Sequence, residues 1–213
     1  MRMLLIGVGG VGESIVKILK ERDPDKKWLE QVVCADYNCE RAKEVVDKLR
    51  DPSRFIPEQV DARNKEEIIN LIKKHRCDFV MDAAAPFVTN NIFDAAYEGG
   101  ANFVNMGTWS VPKSEPECYG IGKECFHEFM GDYHFDRSEK WEQKGLLAVI
   151  GLGIDPGVVD VFAKFAAEYL FDELHEIHVK DGNNLQIPGA TDRVMFGFNV
   201  WTVLDECLNP NVE

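Results

Sequence analysis

The sequence lacks any apolar run long enough to cross a membrane as a helix, because none reaches the roughly 18–20 residues that such a span needs. A short strand stands at its start, where a secreted protein would carry a signal peptide. Basic residues are scarce: 24 Lys and Arg stand against 37 Asp and Glu, and the formal net charge is −13. Since nucleic acid repels an acidic surface, we expect no nucleic-acid partner and no membrane partner.

The six cysteines include no CxxC pair. This pattern favours a reduced, cytoplasmic protein. The best candidates for metal ligands are Cys118, Cys125 and His127. Their Cys-x6-Cys-x-His spacing is not that of structural zinc sites, so we expect no bound metal. None of the histidines stands out as a general base, because surface or strand-face positions explain them.

A glycine fingerprint follows the first strand. The apolar strand runs straight into Gly7-x-Gly9-x-x-Gly12, and an amphipathic helix begins at once. In this context Gly7 permits a tight turn, Gly9 lets the backbone approach a pyrophosphate, and Gly12 lets helix and strand pack closely. The helix N-terminus would direct its free N–H groups at the phosphates. The predicted cofactor-binding residues of this turn are Gly7, Gly9, Gly10, Val11 and Gly12.

Strands and helices then alternate with short connections up to about residue 150. The predicted strands are 31–36, 58–61, 78–83, 102–105 and 146–150, with helices near 38–50, 68–72 and 88–98. Near-continuous apolar strands separated by helices indicate a parallel sheet covered on both faces. The predicted fold class is therefore α/β: a Rossmann-type doubly wound parallel sheet over 1–150, then the start of a second α/β domain over 151–213.

The later part of the chain is less regular. The polar stretch 111–144 is interpreted as a long connecting helix. Residues 173–180 alternate apolar and polar side chains with period two, which predicts a half-exposed strand in a different, antiparallel sheet. The sequence stops at Glu213 just after a predicted helix begins, so we expect the second domain to be incomplete in this polypeptide.

Residues that follow the strands are site candidates, because ligands bind beyond the carboxyl ends of the strands in such sheets. Asp36 suits the two hydroxyls of an adenosine ribose and would repel the 2′-phosphate of NADP, so we expect NAD rather than NADP. Arg41 complicates this preference, although a surface arginine is the commoner explanation. Asp61, with Ala62, either contacts adenine or stabilises a helix N-terminus. Small residues that admit the nicotinamide half are Ala84, Ala85 and Pro86.

The fifth and sixth strands end in further candidates. Thr108 and Trp109 follow the fifth strand, and Asp155 follows the sixth. Asp155 either lines a pocket or caps the helix that Pro156 would open.

Three segments resemble the saccharopine dehydrogenase-like family: Ala-Ala-Ala-Pro-Phe at 83–87, Asn-Met-Gly-Thr-Trp at 105–109 and Gly-Leu-Gly-Ile-Asp-Pro-Gly at 151–157. Residues 196–201 resemble it more loosely. The family includes saccharopine reductases, carboxynorspermidine dehydrogenases and lysine 6-dehydrogenases, and pairs a Rossmann domain with an α/β substrate domain. The resemblance implies an NAD(P)-dependent oxidoreductase that transfers hydride between nicotinamide and a nitrogen-bearing carbon of an amino-acid-like substrate.

The resemblance also implies roles for particular residues. Asp155 would pair with an ammonium or imine nitrogen and, with Trp109, forms the candidate catalytic pair. Thr108, Asn199 and Trp201 are candidate substrate residues, although Trp201 also suits core packing. Residues 181–184 depart from the glycine-rich element of a saccharopine reductase, which leaves the substrate open. A full-length enzyme of this kind is expected to be a homodimer.

Two rival functions stay open. One is a lysine-type amino acid dehydrogenase that needs only one amino acid and NAD. The other is a Rossmann domain that senses or scaffolds NAD without turnover. Such a sensor needs no second pocket, so the residues after the fifth and sixth strands favour an enzyme.

Overall fold

The structure, a computed structural model, describes residues 1–113, 125–180, 182, 186, 188–189 and 200–208. Its strands are β1 (Arg2–Ile6), β2 (Gln31–Asp36), β3 (Phe55–Gln59), β4 (Phe79–Asp82), β5 (Asn102–Asn105) and β6 (Ala148–Val149). Its first four helices are α1 (Gly10–Arg22), α2 (Cys39–Leu49), α3 (Lys65–His75) and α4 (Thr89–Gly99), the last preceded by a 3-10 turn at Pro86–Val88. The remaining helices are α5 (Met130–Phe135), α6 (Ser138–Gln143), α7 (Val158–Tyr169) and α8 (Val200–Leu208).

The strands form one parallel sheet in the order β3-β2-β1-β4-β5-β6. The chain moves outward from β1 to β3 and then returns to the other side of β1 with β4. This reversal leaves a crevice between the carboxyl ends of β1 and β4, which is where such sheets bind ligands. The predicted Rossmann-type doubly wound fold is confirmed.

The residues of β1 explain why helices cover both faces of the sheet. Leu4 and Ile6 point to one face, where they pack with α3 and α4, while Met3 and Leu5 point to the other face and pack with α1 and α2. All four side chains are at most 2% exposed. Burying an aliphatic side chain of this size contributes about 1.5–3 kcal/mol, so β1 anchors both halves of the core.

The third strand lies earlier in the sequence than predicted. The structure places β3 at Phe55–Gln59, not at 58–61, and pairs Phe55 with Val32. Pro57 interrupts the hydrophobic pattern and hid the start of the strand. Because β3 is an edge strand, a proline is tolerated there without the loss of a ladder hydrogen bond.

The expected long helix over 111–144 is wrong. In the described part of this stretch, the α-helical residues form two separate six-residue helices, α5 and α6, and Pro112 forms an isolated antiparallel bridge with Phe126. The surface position expected for His134 is also wrong. His134 is 4% exposed, and its ring centroid lies 4.5 Å from that of Phe93. Burial, with a smaller contribution from Arg137, lowers the pKa of His134 to about 4, so His134 is a neutral core residue at neutral pH.

The predicted strand at 173–180 does not form, because no partner strand lies beside it among the residues described. The preceding helix α7 has no buried residue. Its apolar side chains are exposed: Val161 is 66%, Phe162 67% and Phe165 51% exposed. Within the described ranges, no helix combines the length and the apolar character needed to span a membrane.

Candidate functional site

The glycine turn presses against the end of β4. Gly7 has φ +90°, and a Cβ there would lie 2.6 Å from the Ala83 carbonyl oxygen. A Cβ on Gly12 would collide with the Gly7 carbonyl oxygen. Gly9 and Gly10, by contrast, have no atom within 4 Å of such a Cβ. Two glycines therefore close the turn, and two leave its outer side open.

The open side coincides with the N-terminus of α1. Gly9 is the N-cap residue and provides no side-chain hydrogen bond to the first turn. Gly10 and Val11 are both exposed. The unpaired N–H groups and the positive end of the helix dipole are thus accessible to an anion such as a pyrophosphate. This arrangement fits a dinucleotide.

Asp36 lies at the end of β2, beside this turn. Its two carboxylate oxygens accept hydrogen bonds from the Val8 N–H (2.9 Å) and the Asn38 N–H (2.9 Å). Each oxygen keeps a further lone pair, so the fixed carboxylate can still accept hydrogen bonds from a ribose. Backbone donors therefore orient Asp36 before any ligand binds.

Arg41 is not the surface side chain that the sequence suggested. It is 27% exposed, and its Nε donates to the Val8 carbonyl oxygen (3.1 Å). Its terminal nitrogens contact Glu13 and, at 3.2 Å, Glu44. The Asn38 side chain caps α2 by accepting from the backbone N–H groups of residues 40 and 41, which places the guanidinium beside the turn. Sequence reasoning missed Glu13 although it directly follows the last glycine of the motif.

Asp61 faces a neighbouring arginine. Both of its oxygens accept from the Arg63 guanidinium, with a shortest distance of 2.7 Å, and the Arg63 backbone N–H adds a bond of 3.0 Å. These bonds lower the pKa of Asp61 to about 2. Arg63 also lies over the Tyr37 ring, 5.8 Å from its centroid. Ala62 packs against the core below, so this side of the crevice presents Tyr37 and Arg63 rather than a free Asp61 carboxylate.

A buried carboxylate supports the loop after β4. Asp82 is 3% exposed and accepts hydrogen bonds from the Thr89 hydroxyl (2.7 Å) and the Ala84 N–H (2.9 Å). Burial raises the pKa of Asp82 to about 6, even though both hydrogen bonds act in the opposite direction. The two bonds hold the loop of Ala84, Ala85 and Pro86 next to Gly7. Sequence reasoning did not select Asp82, because it lies inside an otherwise apolar strand.

Asn105 joins the loops that follow β5 and β6. Its carboxamide donates to the Gly107 carbonyl oxygen (2.8 Å) and accepts from the Gly151 N–H (2.8 Å). A Cβ on Gly153 would collide with the Met106 carbonyl oxygen, so the two loops lie in direct contact. This places the turn that contains Asp155 beside the loop that contains Thr108 and Trp109. Asn105 is therefore a positioning residue that the sequence did not single out.

Trp109 forms part of a small cavity beyond the carboxyl end of β5. Its ring packs edge to face with Phe87 at a centroid distance of 6.3 Å, and its backbone N–H donates to the Met130 sulfur (3.3 Å). The cavity has a volume of about 150 Å³. Its lining residues are Phe87, Asn90, Trp109, Val111, Glu128, Phe129 and Met130.

Asp155 is exposed in the turn before α7. The capping interpretation is wrong, because Gly157 is the N-cap and its N–H donates to Asp160 (2.8 Å). In the portion of the chain that the structure describes, the Asp155 carboxylate accepts no hydrogen bond, so it is available to a ligand. Thr108 is also exposed. Asn199 lies outside the described residues, and Trp201 lies in α8 with a side chain that is not described.

The model of the family "Saccharopine dehydrogenase NADP binding domain" matches residues 3–149, which is more than half of the chain. The chain belongs to this family. Its matched part contains the glycine turn, Asp36 and the loops after β4 and β5. Membership therefore indicates a nicotinamide cofactor.

Two curated relatives match this chain over most of its length. It is 30% identical over 195 residues to a carboxynorspermidine synthase of Vibrio cholerae, covering 86% of this chain and 43% of that protein. It is 21% identical over 182 residues to a carboxyaminopropylagmatine dehydrogenase of Synechocystis, covering 85% of this chain and 42% of that protein. The chain thus spans less than half the length of these relatives.

A solved structure supports the fold. The saccharopine dehydrogenase (L-Glu forming) of Saccharomyces cerevisiae superposes with a TM-score of 0.52 at 15% identity, covering 76% of this chain and 31% of that one. At this identity the likeness concerns the fold alone.

The first prediction concerns the closed side of the glycine turn. Gly12→Ala should lower the free energy of unfolding by about 2 kcal/mol or more, because its Cβ collides with a backbone oxygen that cannot move away. Gly10→Ala is the matched control and should stay within about 0.5 kcal/mol of wild type, since its Cβ meets open space. Chemical denaturation of both variants measures the difference. Equal stabilities would contradict the packing described for Gly12.

The second prediction concerns the pH dependence that Asp82 causes. Because its folded-state pKa of about 6 exceeds the ordinary value of 3.8, its contribution to stability is fully present below pH 3.8 and is lost as the pH rises through 6. A carboxamide can accept from Ala84 and donate to Thr89, so Asp82→Asn should keep the loop and remove this dependence. As the pH rises from 4 to 7, the free energy of unfolding of the variant should increase by about 2 kcal/mol relative to that of wild type.

Urea denaturation across this pH range measures the effect of Asp82. The exposed Asp47 on α2 provides the matched control, because Asp47→Asn removes a carboxylate that is not buried. A constant difference between Asp82→Asn and wild type over the whole range would refute the raised pKa.

Proposed function

We propose that the chain is the cofactor-binding part of an NAD(P)-dependent oxidoreductase that acts on a C–N bond of an amino-acid-derived substrate. Family membership supports the oxidoreductase class. The names of the two curated relatives, a carboxynorspermidine synthase and a carboxyaminopropylagmatine dehydrogenase, support an amine substrate. One observation carries the proposal. Asn105 brings the Asp155 turn and the Trp109 loop together at the carboxyl ends of the strands, the same end of the sheet as the glycine turn.

The proposed cofactor is NAD. The family's name refers to NADP, but NAD is supported by Asp36 at the end of β2, the proposed ribose position, where it is half-buried and accepts two backbone hydrogen bonds. A carboxylate there accepts hydrogen bonds from both ribose hydroxyls and repels a 2′-phosphate. The N–H groups at the start of α1 would bind the pyrophosphate, and Ala84, Ala85 and Pro86 would let the nicotinamide half approach the backbone.

The bound nicotinamide would accept hydride from, or donate it to, the nitrogen-bearing carbon of the substrate. The protein's own residues position the substrate. Asp155 holds the ammonium or imine nitrogen through its unpaired carboxylate, which stabilises positive charge at that atom. Trp109 forms an apolar wall, and Thr108, Asn199 and Trp201 are proposed to complete the substrate pocket.

We also propose that residues 1–150 form the NAD(P)-binding domain and that 151–213 begin a substrate and dimerisation domain. The exposed apolar face of α7 supports this division, because contiguous apolar patches on soluble proteins mark contact surfaces. The proposed assembly is a cytoplasmic homodimer of the full-length enzyme, with a small amino-acid-like substrate and neither nucleic acid nor membrane as a partner.

The reaction class is tested with the full-length protein. NADH oxidation that requires an amine together with an aldehyde or keto acid supports the reductive reaction. NAD reduction by a single amino acid supports a lysine 6-dehydrogenase-type enzyme instead. Dinucleotide binding without turnover on any pair would leave an NAD-sensing domain and refute the enzyme.

The third prediction concerns Asp155. Asp155→Asn should lower kcat roughly 100-fold, because a charged partner of the substrate nitrogen is lost, while the Kd for NAD changes less than about twofold. Asp172→Asn, at an exposed position beyond α7, is the matched control and should keep wild-type kcat. Steady-state kinetics and calorimetry measure the two quantities. Wild-type turnover in Asp155→Asn would remove this residue from the catalytic site.

A further inference from the structure

Glu13 is the most heavily paired acidic side chain near the glycine turn. It lies in the first turn of α1, and its carboxylate contacts Arg41, Lys17 (2.7 Å) and Lys48 (3.5 Å). The side chain is 14% exposed. Hydrogen bonds from Lys17 and Arg41 lower the pKa of Glu13 to about 2, so it is charged throughout the neutral range.

Arg41 lies beside the glycine turn and close to Asp36, the residue proposed to bind the adenosine ribose. Val8 links Arg41 to Asp36. The Val8 N–H donates to Asp36, and the Val8 carbonyl accepts from Arg41. An arginine near this strand end can accommodate the 2′-phosphate of NADP, because guanidinium groups bind phosphate through paired N–H donors. Here three of the five guanidinium N–H groups, one on each nitrogen, already donate to Val8, Glu13 and Glu44.

The two acidic partners of Arg41 are not equivalent. Glu44 lies on α2, one turn from Arg41, and is 54% exposed. Its ion pair moves with the arginine and contributes little, as exposed pairs generally do. Glu13 lies on α1, so its ion pair ties the guanidinium of one helix to the start of another. Of the two ion pairs, the one with Glu13 holds Arg41 against the glycine turn, alongside the hydrogen bond from Arg41 Nε to the Val8 carbonyl oxygen.

We infer that Glu13 is a specificity-determining residue that favours NAD over NADP. By holding Arg41 against Val8, it withdraws the guanidinium from a 2′-phosphate, and its own negative charge adds to that of Asp36 in repelling one. Glu13 acts through Arg41 rather than by touching the cofactor, so it is a positioning residue. This inference rests on the proposed function, because it requires a nicotinamide dinucleotide at the glycine turn.

The fourth prediction tests this inference in the full-length protein. Glu13→Gln should lower the ratio of the NADP Kd to the NAD Kd by roughly fivefold or more, mainly through tighter NADP binding. Glu40→Gln is the matched control: it removes one negative charge on α2 from a side chain that is 82% exposed and paired with Lys43. Its ratio should change less than about twofold. Calorimetric titration of wild type and both variants with NAD and NADP gives the dissociation constants for these ratios.

A double variant shows whether the effect passes through Arg41. Glu13→Gln combined with Arg41→Gln should lose the gain in NADP affinity, because no guanidinium remains to bind the phosphate. Glu13→Asp keeps the charge on a shorter side chain and should give an intermediate ratio, which provides the test if Glu13→Gln does not fold.

The outcomes separate the two claims. If wild type binds neither dinucleotide, the proposed function and this inference both fail. If wild type binds a dinucleotide but Glu13→Gln shifts the ratio no more than Glu40→Gln, only the inference fails. A gain in NADP affinity that survives in the double variant would likewise overturn it, because the gain would not involve Arg41.

Discussion

The site depends on one close approach, that of the glycine turn to the end of β4. A side chain on Gly7 would strike the Ala83 backbone, and one on Gly12 would strike Gly7 itself. This contact brings the N-terminus of α1 to the crevice between β1 and β4, where the sheet changes direction. The side chains beside the proposed ribose position are arranged around this contact: Asp36 accepts from the Val8 N–H, and Arg41 donates to the Val8 carbonyl oxygen.

Buried polar side chains stabilise the loops at the carboxyl ends of the strands. Asp82 fixes the loop after β4, and Asn105 fixes the loops after β5 and β6 to one another. Buried polar groups of this kind are stable only when they are hydrogen-bonded, so they hold the loops in a single geometry. The loops that would bind the nicotinamide and the substrate are therefore ordered by the strands beneath them. The exposed carboxylate of Asp155 lies on a turn that gives that side chain no hydrogen bond among the described residues.

Sequence patterns predicted the parts of this structure that depend on local chemistry. The strands β1, β2, β4 and β5 are recognisable because they are short, apolar and followed by turn residues, and the glycine spacing predicted the first turn. The third strand was predicted too late in the sequence, because Pro57 breaks its pattern. The strand expected at 173–180 does not form, because a strand needs a pairing partner and periodicity does not show whether one is present. Long-range contacts were the hardest to predict. The roles of Arg41 and His134 depend on residues 28 and 41 positions away, Glu13 and Phe93.

The central claim is that this turn binds a nicotinamide dinucleotide with its adenosine ribose on Asp36. The most direct test is a crystal structure of the full-length protein with NAD. The account predicts a pyrophosphate about 3 Å from the N–H groups that begin α1, and ribose hydroxyls at hydrogen-bond distance from the Asp36 carboxylate. A dinucleotide bound away from the glycine turn, or a ribose that makes no contact with Asp36, would contradict it.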